Sequence, residues 1–129
     1  MNDKAAINKP TANGLRHIWQ AFGYSRLGLA AAYRYEASFR IELFFGLILL
    51  PFAIWLGESG SERALLVLPL FAVLMVELLN SALETLVDRV SIEQHPLSGR
   101  AKDIGSAACF VAQMSVVVVW ALVLLPRFF

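Results

Sequence analysis

Charge is scarce in this chain. Only 16% of its 129 residues are Asp, Glu, Lys or Arg, and 58% are hydrophobic. A soluble domain runs at about 25% charged and about 45–50% apolar. That shortage argues against a soluble helical bundle, and the length suits one domain. Cysteine occurs once, as Cys109 inside an apolar run, which excludes an intrachain disulfide. No Cys/His cluster suggests zinc. No secretory signal is visible, because the first dozen residues are polar and no apolar stretch with a cleavage site follows. The phosphate-binding patterns G-x-x-x-x-G-K-[ST] and G-x-G-x-x-G are missing, and the chain is far too short for a protein-kinase fold. There is no internal repeat and no low-complexity linker.

What is present falls into apolar blocks. Ile41 to Gly57 holds one acid, Glu42, near its start. Ala64 to Val87 is apolar apart from a polar set at its far end, and Ile104 to Leu125 has no ionisable group except the Cys109 thiol. A helix needs about 20 such residues to cross a hydrocarbon core of about 30 Å. The second and third blocks reach that length, and the first does if it begins near Phe39. The expected fold class is therefore all-α integral membrane, with a polar tail over 1–13, an interfacial helix over 14–35 and a three-span domain over 36–129. The spans are expected at about 39–57, 64–87 and 104–125.

Charge orients these spans. Lys4, Lys9, Arg16, Arg26, Arg34 and Arg40 precede the first one, and Arg89, Arg100 and Lys102 lie between the second and third. Only Arg63 and Arg127 fall on the other side. The positive-inside rule puts the N-terminus and the 88–103 loop in the cytoplasm, with the turn Glu58-Ser59-Gly60-Ser61-Glu62 facing outward. The net charge of +1 says little by itself. No nucleic-acid partner is expected.

Leu15 to Tyr35 mixes apolar and polar residues. Leu15, Ile18, Trp19, Phe22, Leu27 and Leu29 alternate with Arg16, His17, Gln20, Ser25, Arg26 and Arg34. The pattern predicts an amphipathic helix in the headgroup plane, with Trp19 and Tyr24 as anchors. Gly23 and Gly28 leave room for a break. On composition alone, the segment also reads as a plain juxtamembrane anchor.

The informative stretch is Val76 to Arg89. At about 100° per residue, Glu77, Asn80, Glu84 and Asp88 share one stripe of a helix. Counted at about 1.5 Å per residue from Ala64, Glu77 lies about 20 Å across and Glu84 about 30 Å, at the cytoplasmic interface. A carboxylate at the depth of Glu77 costs about 2.5 kcal/mol or more on insertion scales, so it must face protein or water. It is a candidate proton acceptor. The alternative is that Glu77 and Asn80 only bond neighbouring helices together.

Glu36 precedes the first span at the level where Glu84 emerges. Two interfacial carboxylates are hard oxygen donors of the kind Mg²⁺ accepts beside water and phosphate. Ser98 to Ser106 adds positive charge where the third span begins. Small residues there would let a polyphosphate approach the N–H groups of a helix start. Two function classes fit: a lipid-modifying enzyme at the inner interface, and a proton-coupled exporter using Glu77. The crowding of polar groups at one interface favours the enzyme, since a transporter would hold its site near the midplane.

Four separated stretches carry a resemblance. They are Glu77-Leu78-Leu79-Asn80-Ser81-Ala82-Leu83-Glu84 with Asp88-Arg89, Gly99 to Ala108, Ala21-Phe22-Gly23-Tyr24-Ser25 with Gly28-Leu29, and Glu36 to Arg40 with Glu42. In register from about Gly14 to Val119, they resemble the prokaryotic diacylglycerol kinase family. The resemblance implies a homotrimer of three-span subunits plus a surface helix, with active sites shared between neighbours. It implies MgATP as donor and a lipid alcohol as acceptor, in the bacterial inner membrane. It further implies Glu77 as general base and Glu36 and Glu84 as metal ligands that also meet ATP. His17, Tyr24, Glu93, His95, Lys102 and Asp103 would surround the nucleotide. Ser25, Arg40, Glu42, Glu77, Asn80 and Ser106 would shape the lipid side. These roles suit phosphoryl transfer, which needs charge stabilisation and an oriented nucleophile.

The chain departs from the enterobacterial pattern at His17, where an arginine is expected and Arg16 stands beside it, and at Gln94 and Pro96. The catalytic carboxylates are untouched. The surface helix, the three spans and the longer chain resemble the diacylglycerol type of Gram-negative bacteria, which implies diacylglycerol as substrate and phosphatidic acid for phospholipid recycling. Undecaprenol is the alternative lipid within the same family.

Overall fold

The computed structural model describes residues 14–90 and 92–129, so the expected polar tail over 1–13 lies outside the described residues. Four helices follow one another: α1 over Leu15–Tyr35, α2 over Ala37–Leu56, α3 over Gly60–Val90 and α4 over Pro96–Leu124. A 3₁₀ turn over Leu125–Arg127 closes the chain. Among the described residues there is no strand. α2, α3 and the stretch from Pro96 to Arg127 are each long and apolar enough to cross a membrane.

The helices outrun the apolar blocks because capping chemistry sets their ends. At the start of α3, Ser59 Oγ accepts from Glu62 N–H at 3.1 Å, and Glu62 Oε2 accepts from Glu58 N–H at 2.9 Å. This is a capping box shifted by one residue. At the start of α4, His95 Nδ1 accepts from Leu97 N–H at 3.1 Å, with Pro96 in the first turn where its missing N–H does no harm. α4 therefore begins eight residues before the apolar run at Ile104 (104 − 96). Gly105 and Ser106 lie in its interior, and their N–H groups belong to the helix ladder. Of the small residues expected at a helix start, Ser98 and Gly99 stand in the opening turn of α4, whereas Gly105 and Ser106 do not.

α1 runs unbroken through Gly23 and Gly28, so no break occurs there. Glu36 alone separates it from α2, in extended geometry at φ −109° and ψ 105°. Arg40 reaches back from α2 and donates through Nη1 to Tyr33 O at 2.8 Å and Arg34 O at 3.2 Å. It thereby satisfies carbonyls that the end of α1 leaves without partners.

α3 is the centre of the bundle, packed most extensively on α4 and then on α2. α3 and α4 run antiparallel in steady register. Trp120 Nε1 donates to Leu66 O at 3.0 Å, and Cys109 Sγ donates to Glu77 Oε2 at 3.2 Å. The two α4 donors are eleven residues apart, as are their α3 partners. The apolar core is small, comprising Ala32, Phe39, Ala53, Leu66, Leu70 and Ala112. Large apolar side chains such as Phe44, Phe45, Trp55, Phe71 and Leu122 remain exposed along the helices. A chain whose long helices present such surfaces is suited to hydrocarbon.

Candidate active site

α3 buries one acid. Glu77 is only 5% exposed, and Ser81, one turn along, is 8% exposed. Glu77 faces a cleft of about 350 Å³ between α2, α3 and α4. Four carboxylates line this cleft: Glu36 from the α1–α2 junction, Glu42 from α2, and Glu77 and Glu84 from α3. Asn80 and Ser106 complete the set of sequence-derived residues found there. The 3.6-residue stripe on α3 explains how Glu77, Asn80 and Glu84 meet in one place.

Hydrogen bonds fix parts of this cluster. Asn80 Nδ2 donates to Glu84 Oε1 at 3.2 Å, one turn along the same helix. Gln113 Nε2 donates to Glu42 Oε1 at 2.8 Å from α4 to α2. Cys109 supplies Glu77 with its S–H. Glu42 Oε2 and Asn80 Oδ1 are buried without a hydrogen-bond partner. Among the described residues, no Lys or Arg lines the cleft. Four acids therefore converge in one partly dry space without a cationic side chain among the lining residues. Buried charge of one sign is costly unless cations or protons compensate it.

Sequence reasoning missed Cys109 and Gln113, because each is isolated in an apolar run. The signal was there in the spacing. Lys102, Ser106, Cys109 and Gln113 share one face of α4 at about 100° per residue.

A second cavity of about 600 Å³ lies where α3 gives way to α4, lined by Asp88, Glu93, His95, Ser98, Gly99 and Lys102 among others. Lys102 Nζ pairs with Asp88 Oδ1 at 2.7 Å, so the two helices are tied at the mouth of this cavity. Glu93, His95 and Lys102, all drawn from the expected nucleotide set, are brought together here. A third groove of about 740 Å³ separates α1 from α3, lined by Ser25, Gly28, Ala32, Glu36, Ser81 and Thr85 among others. Glu36 thus borders both the acidic cleft and this groove.

The remaining expected site residues are dispersed. Arg40 is engaged with the α1 carbonyls and lines none of these three cavities. His17 is exposed in the first turn of α1, Tyr24 is half-buried further along it, and Asp103 is exposed on α4. Ser25 Oγ donates to Ala21 O at 2.9 Å within its own helix.

Among the described residues, no group of three or more His, Cys, Asp or Glu could hold a metal ion by itself. Glu36 and Glu84 offer two carboxylates on one cleft. That donor set fits a hard divalent cation such as Mg²⁺, which keeps several waters and takes one or two carboxylates plus phosphate oxygens.

Comparison with known proteins bears directly on this arrangement. Residues 23–124 match the family described as "Prokaryotic diacylglycerol kinase". The chain is 52% identical over 112 residues to the diacylglycerol kinase of Pseudomonas aeruginosa, covering 87% of this chain and 91% of that protein. It is 47% identical over 107 residues to that of Haemophilus influenzae, covering 83% and 91%. It is 44% identical over 115 residues to that of Escherichia coli K12, covering 89% and 94%. With the match running from the middle of α1 through all three long apolar helices and every residue of the acidic cleft, the chain belongs to the prokaryotic diacylglycerol kinase family.

Proposed function

We propose that the protein transfers the γ-phosphoryl group of ATP to the hydroxyl of diacylglycerol, giving phosphatidic acid at the cytoplasmic face of the bacterial inner membrane. This returns diacylglycerol to phospholipid synthesis. The observation that carries the reading is the cleft itself, where four carboxylates meet with no basic residue among the described lining residues. A site of that kind calls for a cation, and MgATP supplies one.

Glu77 accepts the proton of the lipid hydroxyl as its oxygen bonds to the γ-phosphorus and the bond to the ADP oxygen breaks. Burial keeps water away from its carboxylate, and the thiol of Cys109 occupies Oε2. Glu36 and Glu84 hold Mg²⁺, which supplies charge neutralisation for the phosphates. Asn80 orients Glu84. Lys102, with Glu93 and His95 around it, meets the nucleotide over the cavity at the start of α4. Displaced from Asp88, its ammonium can turn to phosphate oxygens. Glu42, Ser106 and Asn80 bound the lipid end of the cleft, with Ser25 across the groove under α1 and Arg40 fixing the α1–α2 corner. His17, Tyr24 and Asp103 complete the nucleotide shell when neighbouring subunits contribute to a shared site.

The assembly we propose is a homotrimer, with α1 lying amphipathically at the headgroup level. The N-terminus and the 88–103 loop face the cytoplasm. In support, Arg63 and Arg127 cluster at one end of the bundle, where Arg63 Nε donates to Ile54 O at 2.9 Å and Arg127 pairs with Glu62. Arg34, Arg40, Arg89, Arg100 and Lys102 lie at or beside the opposite ends of α2, α3 and α4.

Phosphate transfer from labelled ATP by the purified protein in mixed micelles tests the reading, with diacylglycerol and undecaprenol offered in parallel, with and without Mg²⁺. Mg²⁺-dependent phosphatidic acid is the expected product. Product from undecaprenol alone would move the substrate to polyprenyl alcohols. No product from either lipid would sink the kinase reading for this chain.

A further inference from the structure

The third apolar helix carries a polar side chain that the reaction scheme above does not use. Gln113 lies one turn beyond Cys109 on α4, deeper into the apolar run than the level at which Cys109 meets Glu77. An amide at that depth is unfavourable unless it is hydrogen-bonded. Its partner is Glu42 Oε1, 2.8 Å away on α2. This bond joins the two helices that flank α3, across the floor of the acidic cleft. The other oxygen, Glu42 Oε2, is buried and has no hydrogen-bond partner. The carboxylate is therefore pinned by one oxygen and left with an unmet demand at the other.

We propose that Gln113 is a positioning residue for lipid binding. Its amide holds Glu42 so that Oε2 is presented to a water that bridges to the ester carbonyls of the lipid, whose single hydroxyl is the one that faces Glu77. The inference rests on the lipid kinase reading given above. The side-chain hydrogen bond of Gln113 goes to Glu42 and not to Glu36 or Glu84. Its bond goes to the one cleft acid that is placed on neither the proton-transfer nor the metal side of the reaction. A structural role alone would predict lost stability with all kinetic constants affected together. A positioning role predicts a selective change.

The experiment compares the unaltered enzyme with Gln113→Leu and Gln113→Met in mixed micelles, varying the mole fraction of diacylglycerol and then the concentration of MgATP. Met preserves the unbranched length of the side chain and guards against a packing defect from Leu. Losing a hydrogen bond to a charged group is expected to raise the lipid KM about tenfold. The KM for MgATP and kcat should stay within about twofold, as expected when the lost interaction serves ground state and transition state alike. The exchange Glu42→Gln with Gln113→Glu restores a bond between α2 and α4. It should recover thermal stability while leaving the lipid KM high, because the carboxylate then projects from the wrong helix. An unchanged lipid KM in both single variants overturns the proposal. So does a parallel loss of stability, lipid KM and nucleotide KM, or recovery of the lipid KM in the exchange. Failure of the underlying reading would show separately, as absence of phosphorylated lipid with the unaltered enzyme.

Discussion

The two ends of the bundle treat the same side chain in opposite ways. At the α2–α3 turn, Glu62 accepts from Glu58 N–H and pairs with Arg127, while Glu58 lies 3.6 Å from the same guanidinium. Arg127 also donates to Leu56 O. Every acid there has a cation or a backbone N–H. In the cleft at the other end, Glu36, Glu42, Glu77 and Glu84 converge, and their hydrogen-bond partners are an asparagine, a glutamine and a thiol. Acids already matched by the chain hold the fold. Acids the chain leaves unmatched are available to a ligand, a metal or a proton, and that contrast separates scaffold from chemistry in this protein.

The sharpest way to break the contrast is to neutralise the most buried acid. Glu77→Gln keeps shape and hydrogen-bonding capacity but cannot take the proton, so turnover should fall about 10²- to 10⁴-fold. Insertion and thermal stability should be retained, because no charge partner is orphaned. Near-normal kinetics would remove Glu77 as the base and demote the cleft to packing. Next in size, Glu84→Gln should raise the Mg²⁺ concentration needed for half-maximal activity about tenfold or more. Glu36→Gln should resemble it more than it resembles Glu77→Gln. A Mg²⁺ titration identical to that of the unaltered enzyme would contradict the metal assignment.

Much of this was legible in the sequence, and the misses have a common cause. The apolar blocks reported three helices because a bilayer demands long runs without charge. They underestimated helix length because hydropathy senses only the part of a helix at membrane depth. Ser59 with Glu62, and His95 with Pro96, extend α3 and α4 beyond it by capping. The stripe of Glu77, Asn80 and Glu84 could be read because three polar residues at helical spacing stand out in an apolar helix. Cys109 and Gln113 went unread because each is a single polar residue whose partner sits on another helix. Which face of α4 meets α2 and α3 is a tertiary fact. Arg40, expected at the lipid side, also closes the end of α1, a contact that only the fold reveals.

Gly105 tests how tightly the cleft end is built. A Cβ there would fall on Asn80 Oδ1, and the Leu83 side chain lies 3.4 Å from the same point. Gly105→Ala would force Asn80 aside and break its bond to Glu84. Overpacking of this kind costs about 1–3 kcal/mol. Thermal unfolding in detergent should show that loss, together with a weaker response to Mg²⁺. Full stability with altered Mg²⁺ dependence would mean that Asn80 swings freely and that only its bond to Glu84 matters. An unchanged protein on both measures would show that α3 and α4 do not approach this closely.

Arg127→Ala probes the opposite end, with the smallest expected effect. The guanidinium is 22% exposed and Glu58 is 74% exposed, so water screens much of this pair. Glu62, 33% exposed, is the stronger partner. Discounted for that exposure, the loss should be about 1 kcal/mol. Unfolding temperature should fall by a few degrees, and high salt should shrink the difference between variant and unaltered protein. Lipid and nucleotide KM should not move, because the α2–α3 turn and the acidic cleft lie at opposite ends of α3. Kinetics altered without loss of stability would mean that the matched acids also reach the chemistry, and the division between the two ends would fail.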